Sequence, residues 1–370
     1  MKAKTVAINL LVALFSTALC LAIGELALRA LHPQNLSLYY KTRDGLNIHR
    51  SNYAGVSRGV ETIQGYRTNS FGMRDRQHEV RKSDGTFRIL LLGDSQMEAL
   101  QVEFDHSFPK LLEEQLNQQQ PRTIEVVSVA VSGWGQNDEL AYLERYGARL
   151  SPDLVLVGVT LHNDISDNMK GNFYKLTDNG LVASPVREIP LLEYRIWQIR
   201  AFFSAHFHSY QLFREWWQSV AIERGGTQLS AHVVDVLRTT PSEPLMKGWK
   251  LTHELLRRIQ ARSREMGAEA AIFLIPLSIQ LDEGNLLRLL SDNNVARDAV
   301  SVERPQQLMM AFGQVEKMAV IDLLPSFLAW KRKHDGRLFL KYDGHLTEEG
   351  HELAASVVAH GLLERRLIGR

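Results

Sequence analysis

Four short polar stretches, each directly after an apolar run, carry the residue types that nucleophilic catalysis needs. They are Gly93-Asp94-Ser95, Ser132-Gly133-Trp134-Gly135, His162-Asn163-Asp164 and Asp343-Gly344-His345. A serine hydroxyl attacks a carbonyl carbon effectively only when a base takes its proton, and an acid beside that base holds the imidazole in the useful tautomer. Ser95 is therefore the candidate nucleophile and His345 the candidate base. Taken singly, each stretch also fits ordinary turn or capping chemistry.

In this order the four stretches resemble the four blocks of the SGNH (GDSL-type) hydrolases. The resemblance covers about Asn69 to Leu363 and fails at about 167–244. It implies a nucleophile Ser95 and a general base His345 oriented by Asp343. It also implies three oxyanion donors, the backbone N–H groups of Ser95 and Gly133 and the side-chain amide of Asn163. No metal or organic cofactor is implied.

Two features depart from the family pattern. Only Gly344 separates Asp343 from His345, where two residues are commoner, and Leu161 stands where a glycine is usual. In an extended segment, residues two apart point to the same side, so Asp343 can still reach His345. Asp335 is the alternative acid.

Other residues near these blocks are interpreted as structural. We expect Asp164 to brace its loop through hydrogen bonds and His162 to be structural. We expect His351 and His360, in the last helix, to lie at the surface.

The rhythm of the chain from Phe87 onward predicts an α/β fold. Apolar runs of strand length alternate with amphipathic segments, which indicates a parallel sheet covered by helices on both faces. The resemblance sharpens this to a three-layer α/β/α domain at 86–370 with about five strands. The predicted strands are Arg88–Leu92, Thr123–Val131, Asp153–Leu161, Ala268–Leu277 and Val320–Leu324. The predicted helices are Ser107–Gln119, one capped by Asn137 or Asp138, Trp249–Met266 and Thr347–Arg366.

The N-terminus, 1–33, has the pattern of a transmembrane segment. Lys2 and Lys4 precede an uncharged run, Thr5–Ile23, that would be about 28 Å long as a helix and so close to the bilayer core. The lysines predict a cytoplasmic N-terminus, which puts the catalytic domain outside the cytoplasm. An uncleaved signal anchor is favoured over a cleaved signal peptide, because no clean small-x-small site closes the run.

Two further regions have weaker signals. Residues 34–85 form a polar connection, in which Asn69–Asp75 is expected to be an edge strand or turn packed on the sheet. The insert at about 167–244 is rich in aromatic residues at helical spacing. Packing against the α/β core is the simpler explanation of these residues, and a lid or a rim that touches acyl chains or the membrane is the alternative.

Composition limits the function classes. The net charge of +1 gives no electrostatic case for nucleic acid, the 13 histidines lack metal-site spacing, and the single cysteine, Cys20, lies in the apolar run. The sequence thus predicts an extracytoplasmic serine esterase that cleaves an acyl group, acetyl being favoured, from an envelope glycan or lipid. The alternatives are an acyltransferase, for which Trp134, Trp216 and Trp217 are candidate sugar platforms, and an inert tethered scaffold or glycan-binding protein. The acyl donor, the acceptor and the oligomeric state are not specified.

Overall fold

The structure, a computed structural model, describes residues 2–185, 188–222 and 228–368. The chain forms two compact units. Met1–Tyr40 and Ile189–Gly226 make up one, here called the anchor unit, and Lys41–Glu188 and Thr227–Arg370 make up the other, the α/β unit. Residues 186–187 and 223–227 of the predicted insert lie outside the described residues.

The strands of the described residues are β1 Tyr39–Lys41, β2 Asn47–His49, β3 Ala54–Arg58, β4 Ile63–Arg67, β5 Phe87–Gly93, β6 Ile124–Ala130, β7 Leu154–Thr160, β8 Tyr174–Thr177, β9 Gly180–Ala183, β10 Glu269–Ile275 and β11 Ala319–Asp322. The helices are α1 Lys2–Leu31, α2 Ser95–Glu98, α3 Phe108–Gln119, α4 Gln136–Tyr146, α5 Asp164–Lys170, α6 Leu191–His206, α7 His208–Ile222, α8 Gln228–Leu237, α9 Glu243–Glu265, α10 Glu283–Asp292, α11 Arg304–Glu316, α12 Leu324–Lys331 and α13 Glu348–Glu364.

A five-stranded parallel sheet in the order β11-β10-β7-β5-β6 forms the centre of the α/β unit. Every residue of β5, β6 and β7 is buried, as their near-continuous apolar sequences predict. Helices α3 and α13 cover one face of the sheet, and α4 and α9 pack against each other and against β5 and β10. The predicted α/β class and the five-stranded parallel sheet are confirmed. Since all five strands are parallel, their carboxyl ends meet at one edge.

Arg88 shows that the apolar run of β5 contains a buried charge. Its Nε donates to Glu125 Oε2 at 2.6 Å, and its guanidinium also donates to three backbone carbonyls. A buried charge is tolerated only when it is paired and fully hydrogen-bonded. Arg88 thereby joins the start of β5 to β6 and to the chain before it.

Two expectations about local structure are wrong. Helix α4 is capped by Gly135, and Asn137 lies inside the helix, where its side chain accepts hydrogen bonds from the backbone N–H groups of Phe173 and Tyr174. His351 is buried rather than exposed, because α13 packs that side of the helix inward; His360 is exposed as expected.

Residues 34–85 are more structured than the sequence suggests. Strands β3 and β4 form an antiparallel hairpin, and Asn69–Asp75 forms the expected turn against the sheet. Asp75 Oδ2 in this turn accepts the backbone N–H of Ser128 on the edge strand β6. The position of this segment against the sheet brings several of its side chains to the site described below.

The anchor unit contains the apolar N-terminal helix. Lys4–Leu31 within α1 is long and apolar enough to cross a membrane. Helices α6 and α7, from the aromatic insert, belong to the same unit as α1 and not to the α/β unit. In these helices Phe202, Phe213 and Trp217 are exposed; packing of the insert's aromatic side chains on the α/β core stays a prediction.

Burial of His351 predicts an acid-sensitive contribution to stability. Burial, together with the charges of Arg74 and His345, lowers the pKa of His351 to about 3. In the unfolded chain the pKa of a histidine is about 6.5. Between these two pH values, only the unfolded chain takes up a proton at His351. Stability is lost as the pH falls below about 6.5. In His351→Gln this loss of stability should be smaller. The measurement is the urea concentration at the midpoint of unfolding, compared between pH 8 and pH 5.

His360→Gln, on the exposed side of the same helix, is the matched control and should leave the pH dependence unchanged. Identical pH profiles for His351→Gln and the wild type would contradict the assignment.

Candidate active site

Ser95 begins α2 immediately after the C-terminal end of β5. The Asp94 side chain caps this short helix by accepting the Gln96 backbone N–H at 2.9 Å. The fully buried Asp94 carboxyl also accepts Thr160 Oγ1 at 3.0 Å and Asn163 Nδ2 at 3.2 Å. A Cβ at Gly93 would lie 2.7 Å from Met97 Cγ, so the tight turn before Ser95 requires glycine. Asp94 thus ties the serine turn to the end of β7 and to the Asn163 loop.

His345 and Asp343, the expected base and its orienting acid, are in direct contact. His345 Nδ1 contacts Asp343 Oδ1, and within the part of the chain that the structure describes, His345 Nε2 is buried without a hydrogen-bond partner. The hydrogen bond from His345 lowers the pKa of the Asp343 carboxyl. The predicted extended conformation is wrong, because Gly344 adopts a left-handed φ of +77° within a turn. The turn nevertheless brings the two side chains together, whereas Asp335 is exposed.

The His345 loop is fixed from both sides. Glu61, in the β3–β4 connection, accepts the backbone N–H groups of Lys341 at 3.0 Å, Tyr342 at 2.6 Å and Asp343 at 3.1 Å. On the other side, Gln96 accepts the Leu346 N–H at 3.0 Å and donates to the Gly344 carbonyl at 3.2 Å. The residue after Ser95 therefore brackets His345, a contact that the sequence did not reveal.

Ser95 and His345 line one cleft of about 550 Å³. Asp343 and His162 also contribute to its walls. His162, expected to be structural, lines the same cleft as Ser95. Burial lowers the pKa of His162 to about 4, so its imidazole is neutral near pH 7. The rest of the lining is largely aliphatic, with Val233, Pro276, Leu277, Ile279 and Leu289.

The two other expected oxyanion residues lie outside the lining of this cleft. Gly133 is exposed and has a φ of +79°, with open space around its Cα. The Asn163 amide donates to Asp94 Oδ2 and, at 3.0 Å, to Asp167 Oδ2. Trp134 is buried, and its indole N–H donates to the Asn47 carbonyl at 2.9 Å, so its ring is not available as a sugar platform.

Glu98, the last residue of α2, connects the serine helix to the Gly133 loop. Its Oε2 accepts both the backbone N–H of Ser132, at 2.8 Å, and the Ser132 hydroxyl. Its Oε1 lies 2.9 Å from Nε2 of the buried His49. Burial alone would raise the pKa of Glu98, but the charge of His49 and these hydrogen bonds lower it overall.

Arg74 holds the C-terminal end of α2. It is buried, and it donates to the carbonyls of Glu98 and Ala99 at 2.7 Å each and to that of Val102 at 2.8 Å. These bonds satisfy carbonyls that the end of a helix leaves without partners. The segment 34–85 thus contributes Glu61, His49 and Arg74 to the support of the site.

Buried carboxyl groups lie beneath the serine turn. Asp164 Oδ2 accepts the Thr160 N–H at 2.9 Å and Gln136 Nε2 at 2.7 Å, which confirms that Asp164 braces its loop. Burial and the nearby Asp94 carboxyl raise the pKa of both Asp164 and Glu139 well above their ordinary values. The neutral form of these groups is the one that burial favours.

Comparisons with known proteins return similar solved structures at low sequence identity. No protein-family model and no curated protein matches the chain. Among solved structures, the acetyl xylan esterase AlAXEase is similar at 12% identity, with 75% of this chain and 100% of that chain covered and a TM-score of 0.40. TesA is similar at 16% identity, with 76% of this chain and 99% of that chain covered and a TM-score of 0.39. A lipase/acylhydrolase from Enterococcus faecalis is similar at 14% identity, with 75% of this chain and 96% of that chain covered and a TM-score of 0.38. At such low identities these structures do not indicate the function of this chain.

The Glu98 contacts predict a kinetic effect at a distance from Ser95. Glu98→Gln replaces one accepting oxygen with a donor, so the Ser132–Gly133 peptide should lose part of its fixed position. We expect kcat for ester cleavage to fall by about tenfold with little change in KM, because the oxyanion interaction acts mainly in the transition state.

Glu103→Gln, at an exposed position a few residues away, is the control and should be unaffected. A stability loss in Glu98→Gln with unchanged kcat would limit Glu98 to a structural role.

Proposed function

We propose that this protein is a serine ester hydrolase of the SGNH type that works through a Ser95 acyl-enzyme. The observation that supports the proposal most directly is the pairing of His345 Nδ1 with Asp343. Among the described residues, His345 Nε2 is then buried without a hydrogen-bond partner, in a cleft that Ser95 also lines. An unpartnered buried ring nitrogen costs free energy, and proton acceptance from a nucleophile gives it a function.

The reaction has two half-steps. Ser95 Oγ attacks the ester carbonyl carbon while His345 Nε2 takes the hydroxyl proton, and the same proton is then given to the departing alcohol oxygen. Water then attacks the acyl-enzyme with His345 again as base, and the acid is released as Ser95 recovers its proton. Asp343 stays ionised throughout and stabilises the imidazolium, in accord with its lowered pKa.

The negative charge on the carbonyl oxygen needs donors, and we assign this role to the Ser95 and Gly133 backbone N–H groups and to the Asn163 amide. The left-handed, exposed Gly133 allows close approach of a substrate. The Asn163 amide currently donates to two carboxylates. Its bond to Asp94, the longer of the two at 3.2 Å, is the one that it would exchange for the oxyanion.

The cleft favours an acyl group on its aliphatic side. Leu277, Ile279 and Leu289 form walls that suit hydrocarbon rather than a sugar ring. We propose an O-acyl ester of an envelope glycan or lipid, with acetyl or a longer acyl group. We also propose membrane anchoring through α1, with the N-terminus in the cytoplasm and the α/β unit outside; the length of the apolar helix and the lysines before its apolar run support this.

The serine assignment predicts a large and local effect. Ser95→Ala should lower kcat on acetate, butyrate and octanoate esters by at least about 10³-fold, because the covalent intermediate cannot form. His345→Ala should be nearly as damaging. The measurement is steady-state kinetics of the full chain in detergent.

Ser278→Ala is the matched control, since Ser278 is the other serine of the cleft; it should stay within about threefold of the wild type. Wild-type turnover in Ser95→Ala would remove the serine-esterase proposal, and inactivity of the wild type on every ester would favour the scaffold alternative.

Hydrolysis and transfer differ only in what attacks the acyl-enzyme. A sugar competes with water only when it is bound and oriented beside the serine, and the buried Trp134 does not supply a platform for it. With an acetyl donor we therefore expect free acetate as the main product, at a rate that envelope glycan fragments do not change. Acetylated glycan as the dominant product would instead make the protein a transferase that uses the same serine.

A further inference from the structure

The exposed side of helices α6 and α7 is strongly apolar. Phe213 and Trp217 on α7, four residues apart, are 58% and 63% exposed, and Leu192 on α6 is 74% exposed. Ile196, Ile199, Phe202 and Phe203 on α6 are also exposed. Soluble surfaces rarely expose so many large apolar side chains together. We call this set of seven residues the apolar face.

Polar contacts fix the corner between α6 and α7 to the C-terminal end of α1. The Glu25 carboxylate accepts the backbone N–H groups of His208 and Ser209, at 2.9 Å each, and the Ser209 hydroxyl at 2.7 Å. Arg29 Nη2 donates to the His206 carbonyl at 2.7 Å. Glu25 therefore caps α7, while Arg29 holds the end of α6, and these five residues form the corner contact.

The corner contact has a defined depth along α1. The uncharged run Thr5–Ile23 spans about 28 Å as a helix, close to the thickness of the hydrocarbon core. Glu25 comes two residues after that run. A carboxylate is costly inside the hydrocarbon core, so the corner belongs in the headgroup layer, where α1 leaves the bilayer.

We propose that the apolar face is a second membrane contact, which lies in the headgroup layer beside α1 and is held there by the corner contact. The proposal rests on the membrane-spanning role of α1 proposed above, but not on the esterase activity. At this depth Trp217 buries its ring system among the acyl chains and places its indole N–H at the headgroups, while the phenylalanine rings bury apolar surface. The exposed Arg195 and Arg200 of α6 suit anionic headgroups.

Site-specific fluorescence in membranes tests this proposal. The only cysteine of the sequence is Cys20, within α1. Labelling of the wild type therefore places the dye at a position that is expected to lie in the hydrocarbon core. Phe213→Cys, Trp217→Cys and Val315→Cys are made in a Cys20→Ser background. Val315, exposed on α11 of the α/β unit, is the aqueous reference. Each full-length variant is labelled in detergent with an environment-sensitive dye and reconstituted in vesicles of phosphatidylcholine and phosphatidylglycerol.

Quenching by lipid-borne nitroxides and by a water-soluble nickel chelate is then compared. We expect the labels at 213 and 217 to be quenched about twofold more by a headgroup-proximal nitroxide lipid than the label at 315, with the reverse order for the nickel chelate. Glu25→Gln weakens the corner contact and should reduce quenching of the label at 217 by the nitroxide lipid. In a Glu25→Gln protein that keeps Cys20, quenching of the label at Cys20 should stay unchanged.

Three outcomes would overturn the proposal. Labels at 213 and 217 that respond like the one at 315 would show that the face is in water. Protection of these labels from both quenchers would assign the face to a protein contact. Access of the aqueous quencher to Cys20 would remove the membrane span itself, while ester cleavage by the same preparation would leave the proposed function intact.

Discussion

Hydrogen bonds from the buried side chains around Ser95 hold the loops of the candidate site together. Asp94 accepts from the Asn163 loop, Gln96 brackets His345, and Glu98 accepts the Ser132 peptide. Leaving a buried polar group unpaired costs about 1–3 kcal/mol, so each of these loops has one strongly favoured position relative to Ser95. The geometry of the proposed catalytic residues thus follows from the polar residues that flank the serine.

The parts of the fold that the sequence predicted are those set by local periodicity. The buried runs of β5, β6 and β7 and the amphipathic α3 and α13 follow from side-chain pattern alone. The family resemblance and an expected extended segment predict the Asp343–His345 pair, and the two side chains do meet, although through a turn at Gly344. The proposed roles of Gly133 and Asn163 remain predictions that came from the family resemblance.

What the sequence did not predict depends on contacts between distant segments. Arg88 is acceptable in a buried strand only because Glu125 lies opposite it on β6. His351 is buried because α13 turns that side toward the core, and the segment 34–85 is ordered by the partners of Glu61, His49 and Arg74. Weak local patterns cannot show such partners. The anchor unit is a similar case, since only the structure reveals that Glu25 caps α7.

Covalent labelling with a fluorophosphonate, followed by peptide mass spectrometry, tests directly whether Ser95 is a serine activated by His345. The reagent reports a serine activated by a base, whatever the natural acyl group. We expect a single adduct, on the peptide that contains Ser95, and much slower formation of this adduct in His345→Ala. An adduct on Ser278, the other serine of the cleft, or ester cleavage by a protein that takes up no label on Ser95 would contradict it.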